Sequence, residues 1–121
     1  MTVFGKLTRR EEFTAARKGR RAHTASFTAQ ILRREPAGDD APRYGLTVTK
    51  KVGDAVERNR IKRRLRAAVA AANVDTTAPA SDYVFIAKRE ALTLPFPRLA
   101  ADVATTLATP APRRAKSSPG A

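Results

Sequence analysis

Cysteine and tryptophan are absent from this chain of 121 residues, and its one histidine is His23. Without cysteine there is no disulfide framework, no thiolate zinc site and no cysteine nucleophile. A single histidine excludes zinc fingers and zinc ribbons, and it leaves only one candidate for a histidine-based triad. The sequence therefore offers no conventional catalytic or metal-binding constellation.

Long apolar runs are also absent. No stretch approaches the roughly 18 apolar residues of a membrane span, and the amino-terminal residues MTVFGKLTRREEF lack the apolar core of a signal peptide. We therefore expect a soluble protein located in the cytoplasm, with no membrane partner.

Acidic residues are scarce relative to basic ones. The chain has 24 Lys and Arg against 11 Asp and Glu, which gives a net charge of +13. Such a balance predicts a polyanionic partner, with nucleic acid as the first candidate. The length predicts one domain over residues 1–108, and the basic, Pro- and Ala-rich residues 109–121 are expected to be a disordered tail.

The densest positive charge falls on a predicted helix that begins after Asp54. Asp54 and Glu57 have the spacing of a capping box. The apolar positions at helical spacing are Ile61, Leu65, Ala68, Val69 and Ala72. The remaining positions are mostly basic and point outward: Asn59, Arg60, Arg63, Arg64 and Arg66, with Lys62 at the margin and Arg58 in the first turn.

No acid follows Glu57 in this helix to offset its arginines, unlike an ordinary solvated face of mixed sign. Arginine favours planar, bidentate contact with phosphate. A solvated basic face without a partner is the alternative interpretation. Binding to a membrane surface is disfavoured because the apolar face is small, Ala-rich and free of Trp and Phe. A DNA-binding helix-turn-helix is disfavoured because a strand precedes the helix, so no DNA partner is expected.

The other elements follow from periodicity and turn residues. We predict a first helix from Thr8 to Lys18, with a Thr8/Glu11 capping box, inward-facing Phe13 and Ala16, and Gly19 as its left-handed end. The remaining predicted elements are strands at Ser26–Arg34, Arg43–Lys50 and Asp82–Lys88, and a helix at Leu94–Ala108. We expect the first two strands to pair as a hairpin and the third, which lacks polar alternation, to be central.

The predicted fold class is α/β (α+β), a two-layer sandwich of a small mixed sheet and packed helices. Its element order is helix, strand, strand, helix, strand, helix, with room for an extra short strand in either flank. The second strand presents Gly45, Thr47 and Thr49 on one face. Threonine there is either an ordinary exposed strand residue or, beside Lys50 and Lys51, part of a flat seat for an extended single strand of nucleic acid.

Three blocks of sequence carry a family resemblance. Gly45 to Lys51, GLTVTKK, precedes the Arg58-Asn59-Arg60 run on the basic helix; the first helix contains LTRREEF, and the last strand contains SDYVFIAKR. Over roughly Leu7 to Ala108, the chain resembles the protein subunit of bacterial ribonuclease P.

The resemblance implies a function that the residues alone do not specify. In that family the RNA subunit is catalytic, and magnesium ions held mainly by RNA promote hydrolysis of the bond between the 5′ leader and mature tRNA. The implied partners are the catalytic RNA subunit and precursor tRNA, with no catalytic residue and no metal site in this chain. The resemblance also implies a left-handed β-α-β crossover through the basic helix, although about 98% of such connections are right-handed.

The resemblance also assigns residues to two sites. Those implied to contact the RNA subunit are Lys50, Lys51, Arg58, Asn59, Arg60, Lys62, Arg63, Arg64 and Arg66. Those implied to lie toward a leader-binding cleft between sheet and first helix are Phe13, Arg17, Phe27, Thr47, Thr49, Lys88 and Arg89. Many family members have a second aromatic one turn after Phe13, where this chain has Ala16 and Arg17. The alternative function is a ribosomal or general RNA-binding protein with no role in cleavage.

Overall fold

The computed structural model describes residues 5–33, 42–72 and 81–108. Five strands are present in this part of the chain: β1 (Gly5–Lys6), β2 (Arg20–His23), β3 (Phe27–Arg33), β4 (Arg43–Thr47) and β5 (Ser81–Ala87). The α-helices are α1 (Arg10–Ala16), α2 (Ala55–Ala71), α3 (Glu90–Thr93) and α4 (Phe96–Ala108), and a 3₁₀ turn at Lys50–Val52 precedes α2. The predicted tail at 109–121 lies outside the described residues, and so do residues 34–41, which comprise the last residue of the first predicted strand and part of the connection to the second.

The strands form one mixed sheet in the order β1-β4-β5-β3-β2. β5 is central, as predicted, and it runs parallel to β4 and antiparallel to β3. The predicted hairpin of β3 with β4 is wrong, because β5 lies between them. β5 is almost wholly buried, so a central position suits it, with a hydrogen-bonded strand on each edge. The β4-α2-β5 connection joins adjacent parallel strands, and its left-handed sense stays a prediction.

The two faces of the sheet have different coverings. The main core packs beneath α2 and α4, where Phe27, Ile31, Tyr83 and Phe85 are fully buried beside Leu99 of α4. A smaller cluster on the opposite face joins α1 to the sheet through Leu7, Ala16 and Val84. The α/β (α+β) sandwich is therefore confirmed, and α1 is the helix that packs on the second side among the described residues.

The predicted start and the predicted apolar side of α2 are confirmed. Glu57 N donates to Asp54 Oδ1 at 2.8 Å, and Asp54 N donates to Glu57 Oε1 at 3.0 Å, so the capping box is complete. Ile61, Leu65, Ala68 and Val69 are buried. This packing fixes which side of α2 carries the arginines.

The first helix differs from its prediction in two details. It begins after Arg9, and Glu12 rather than Glu11 caps it by accepting the N–H groups of Thr8 at 3.0 Å and Arg9 at 2.9 Å. Gly19 does not have the left-handed conformation. A Cβ at Gly19 would lie 2.1 Å from the carbonyl oxygen of Ile31, so close approach to β3 is what requires glycine there.

The prediction allowed an extra short strand in a flank, as β1 is, but it missed three short elements: β2, the 3₁₀ turn at Lys50–Val52 and α3. No strand was predicted at Arg20–His23, but these residues form the edge strand β2. They do so by antiparallel hydrogen bonding to the open edge of β3. Residues Glu90–Thr93 form the single turn α3, and α4 starts after Pro95. Leu99, Val103 and Leu107 of α4 are buried.

Candidate nucleic-acid interface

One side of α2 forms a continuous basic surface. Asn59, Arg60, Arg63 and Arg66 are all exposed, and we call these four residues the basic face of α2. Lys50 and Lys51 are exposed on the 3₁₀ turn that leads into the helix. Within the described residues, no carboxylate lies within 4.0 Å of the Arg60, Arg63 or Arg66 guanidinium. The surface is thus available to an external anion.

Three other residues predicted to contact the RNA subunit are partly buried, and two of them have hydrogen-bond partners within the protein. Arg58 is half-buried and its Nη1 lies 3.4 Å from the carbonyl oxygen of Gly53. Arg64 does not simply point outward as predicted, because its Nη2 donates to the carbonyl oxygen of Leu94, between α3 and α4. Lys62 is partly buried and lines a concavity of about 190 Å³ with Phe13. These residues anchor the helix as well as adding charge.

The amino-terminal end of α2 is tied to the carboxyl end of β5. Arg89 Nη2 donates to Glu57 Oε2 at 2.8 Å, and Arg89 Nη1 donates to the carbonyl oxygen of Val52 at 2.9 Å. The hydrogen bond from Arg89, followed by that from the Asp54 N–H, lowers the pKa of Glu57 to about 2. Arg89, which the resemblance places toward the cleft, thus contacts the start of α2.

This pairing predicts a pH dependence of stability. Because the folded pKa of Glu57 is about 2 and its ordinary value is 4.5, the stabilisation is complete above about pH 5 and is lost as pH falls toward 2. Glu57→Gln should therefore lose less stability than wild type between pH 5 and pH 2 in urea unfolding. Glu11→Gln, at an exposed position of α1, is the control and should follow the wild-type profile. Parallel profiles for wild type and Glu57→Gln would contradict the assignment.

The sheet face under α1 carries a row of side chains that crosses three strands. Thr47 of β4 pairs in register with Ile86 of β5, which pairs with Thr28 of β3. All three are partly exposed. Phe13 of α1 lies over the same face, where a Cβ at Gly45 would be 2.6 Å from its ring. We call this face, from Phe13 across Thr47, Ile86 and Thr28, the cleft face.

The structure shows where the residues predicted to line the cleft lie, and it differs from the prediction at Phe27. Thr49 and Arg17 are exposed. Phe27 is fully buried on the opposite side of the sheet, edge-on to Phe85 with ring centroids 5.0 Å apart, so placing Phe27 at an RNA-contacting surface is wrong. Lys88 is partly buried and donates from Nζ to the carbonyl oxygen of Thr24 at 2.7 Å.

Sequence reasoning missed Thr28 and Ile86, which lie on the cleft face. The signal was present in the alternation of the strands, because residues adjacent to the buried Phe27 and Phe85 must face the other way. His23 also belongs to this side, in register with Thr28, and its Nδ1 lies 3.2 Å from Thr28 Oγ1. The strand pairing was needed to bring these residues together.

An ion-pair cluster holds α1 onto the sheet. Arg43 donates to both carboxylate oxygens of Asp82, from Nε at 2.9 Å and from Nη2 at 2.8 Å, and its Nη1 donates to Glu12 Oε2 at 2.7 Å. The hydrogen bond to Asp82 raises the pKa of Arg43, and the Arg9 N–H is the main cause that lowers the pKa of Glu12. Glu12 thus joins the start of α1 to β4 and β5.

The described residues contain no cluster of three or more His, Cys, Asp or Glu side chains arranged to hold a metal ion. None of the helices in the ranges given above is long and apolar enough to cross a membrane. The basic face of α2 supplies exposed positive charge, and the cleft face supplies hydroxyl groups and one aromatic ring. Both kinds of surface suit binding to RNA.

Comparison with known proteins gives one family. The family model described as Ribonuclease P matches residues 1–110. The ribonuclease P protein component of Brucella suis is 36% identical over 115 residues, covering 90% of this chain and 82% of that protein. The one from Bartonella quintana is 42% identical over 95 residues, covering 75% of this chain and 71% of that protein.

A solved structure supports the fold. The RNase P protein from Thermotoga maritima superimposes with a TM-score of 0.70 at 22% identity, covering 85% of this chain and 94% of that one. The family match extends over nearly the whole chain, and it includes both the basic face of α2 and the cleft face. The chain belongs to the family of bacterial ribonuclease P protein components.

Proposed function

We propose that the chain is the protein subunit of a ribonuclease P ribonucleoprotein. In this proposal the basic face of α2 binds the catalytic RNA subunit, and the cleft face binds the 5′ leader of precursor tRNA. The RNA subunit, with its magnesium ions, hydrolyses the bond between leader and mature tRNA. The protein acts in the cytoplasm, where it meets precursor tRNA.

The observation that carries the proposal is the exposed set of arginines on a rigid helix. Arg60, Arg63 and Arg66 project from α2, whose opposite side is fixed in the main core by Ile61 and Leu65. Guanidinium groups in fixed positions match phosphates spaced along an RNA backbone. Binding RNA also relieves the repulsion between these like charges, which costs a few tenths of a kcal/mol per neighbouring pair.

The cleft face supports the second part of the proposal. Thr47 and Thr28 offer hydroxyl groups, and Ile86 between them offers a flat apolar surface. Phe13 supplies one aromatic ring on which a leader base can stack. Since Ala16 is buried and Arg17 is exposed, charge replaces the second aromatic common in the family. Leader binding in this protein should therefore depend strongly on salt.

In cleavage, this chain's residues bind and position rather than react. Asp54 and Glu57 accept hydrogen bonds that begin α2, and Glu12 is held by Arg43. We therefore assign no general base or nucleophile to the chain. Its contribution is to reduce repulsion between RNA phosphates and to hold the leader, so that less magnesium is needed.

Substituting arginines of the basic face tests the RNA-subunit site. Arg60→Ala and Arg63→Ala should each weaken RNA-subunit binding and lower the magnitude of the slope of log K against log [salt] by about one or less, as expected for one lost phosphate contact. Filter binding across a salt series measures both effects. Arg113→Ala and Arg114→Ala remove the same charge from the tail and serve as controls. Equal losses from the tail variants would show that bulk charge, not the basic face, governs binding.

A further inference from the structure

A concave site lies between α2 and the start of α4, on the sheet side opposite the cleft face. It has a volume of about 470 Å³ and is lined by Arg60, Arg63, Arg64, Ala67 and Phe96. Phe96 is the only aromatic among these lining residues. The site therefore brings one aromatic residue together with three arginines, at the edge of the basic face of α2.

The position of Phe96 is restricted by packing against the main core and by the backbone on both sides of it. Phe96 is partly buried against the main core, so one side of the residue packs on protein and part remains accessible. Pro95 and Pro97 flank it and restrict the backbone. The carbonyl oxygen of Pro95 accepts the N–H groups of Arg98 at 3.0 Å and Leu99 at 3.1 Å, which fixes the first turn of α4.

The polar lining favours a ligand that carries negative charge. Arg60 and Arg63 are exposed and have no carboxylate within 4.0 Å among the described residues. Arg64 donates from its Nη2 to the Leu94 carbonyl, while its Nε is buried without an acceptor in the part of the chain that the structure describes. The site thus combines donors for a phosphate with a flat apolar surface.

A nucleotide has both matching parts, a phosphate and a planar base. In an RNA duplex the bases are stacked inside the helix, so only an unpaired nucleotide can present its base to a protein ring. Base stacking on an aromatic side chain beside arginine is a general way to bind single-stranded RNA.

We propose that this site binds one unpaired nucleotide of the RNA subunit, with its base on the Phe96 ring and its phosphate at Arg60 and Arg63. The inference rests on the proposed function, since it takes the RNA subunit as the partner of α2. It extends the RNA-subunit interface from one helix to the junction of two helices. It also gives that interface a contact that depends on base exposure rather than on charge.

Tryptophan fluorescence offers a direct test, because the chain contains no tryptophan. Phe96→Trp places a single emitter in the site, and a stacked base should quench its emission when the RNA subunit is added. Ala101→Trp is the matched control: Ala101 is exposed on α4, about 140° around the helix from Phe96. Its emission should change little. Quenching of the Phe96→Trp variant by precursor tRNA alone, but not by the RNA subunit, would overturn the assignment of the partner.

The affinities of Phe96 variants for the RNA subunit distinguish base stacking on the ring from simple apolar packing. Phe96→Leu keeps an apolar side chain but loses the flat ring, and it should weaken binding by about 5- to 100-fold. The salt slope should not change, since no charge is lost. Phe96→Trp should bind as wild type does. Wild-type affinity for Phe96→Leu, with weakened binding by Arg60→Ala, would overturn the subsite and leave the proposed function standing. Failure of the wild-type chain to bind the RNA subunit would overturn both.

Discussion

Replacing Arg43 with methionine is expected to lower the free energy of unfolding by about 3–5 kcal/mol. The Asp82 side chain is only 4% exposed, and Arg43 neutralises it through two hydrogen bonds. Methionine retains much of the side-chain volume but removes the positive charge and the two hydrogen bonds that Arg43 gives this buried carboxylate. Glu12 loses the same partner, so the attachment of α1 to the sheet also weakens. Urea unfolding at fixed salt measures the loss.

The control for Arg43 is Arg98. Arg98 Nε lies 3.8 Å from Asp102 Oδ1, and its side chain is 63% exposed. Arg98→Met removes the same charge from the protein but should cost at most about 1 kcal/mol, because exposed ion pairs contribute little. Since both variants reduce the net charge equally, the difference between them reports the buried cluster. Equal losses of stability would contradict the role given to Arg43.

Gly45→Ala is expected to destabilise the protein by about 1–3 kcal/mol through overpacking. The added Cβ would lie 2.6 Å from two atoms of the Phe13 ring and 3.2 Å from the Leu7 side chain. The Phe13 ring must therefore leave its position over β4, which weakens the packing of α1 on the sheet. Urea unfolding measures the cost, and a 5′-leader oligonucleotide titration measures the accompanying loss of binding at the cleft face.

A double-mutant cycle isolates this contact. In a Phe13→Ala background the ring is absent, so adding Gly45→Ala should cost much less than it does in the wild-type background. Gly5→Ala is the control: its Cβ would come no closer than 3.2 Å to another atom, at Arg43 Cγ, and Phe13 is not among its three nearest contacts. Full additivity of Gly45→Ala and Phe13→Ala would show that the two residues do not share this space.

The sequence predicted the local elements of the site well because their causes are local. The Asp54/Glu57 capping box and the apolar spacing from Ile61 to Val69 determine where α2 begins and which side is buried. The capping box and the apolar spacing are together enough to leave the basic face of α2 on the exposed side of the helix. The resemblance then supplied an RNA partner for it. The family match supports RNA as a partner of the chain, and its binding at the basic face stays a prediction.

The parts that were not predicted depend on contacts distant in sequence. β3 and β4 were expected to pair because they are consecutive, but β5, from later in the chain, inserts between them. Because the strand order was unknown, nothing in the sequence indicated that Thr47, Ile86 and Thr28 lie in one row across the sheet. Arg43 was interpreted as a strand end, yet its partners lie 31 and 39 residues away, at Glu12 and Asp82. Phe96 was likewise given no role beyond its place in the predicted helix Leu94–Ala108.

The most direct test of the account is reconstitution of cleavage. The purified chain is mixed with the ribonuclease P RNA subunit from the same cell, and 5′-leader removal from precursor tRNA is followed at low magnesium. We predict that the chain raises the cleavage rate there and has no activity alone, and that Arg60→Ala and Arg63→Ala reduce the effect. If the chain binds RNA but leaves cleavage unchanged, or cleaves without the RNA subunit, the proposed function is wrong.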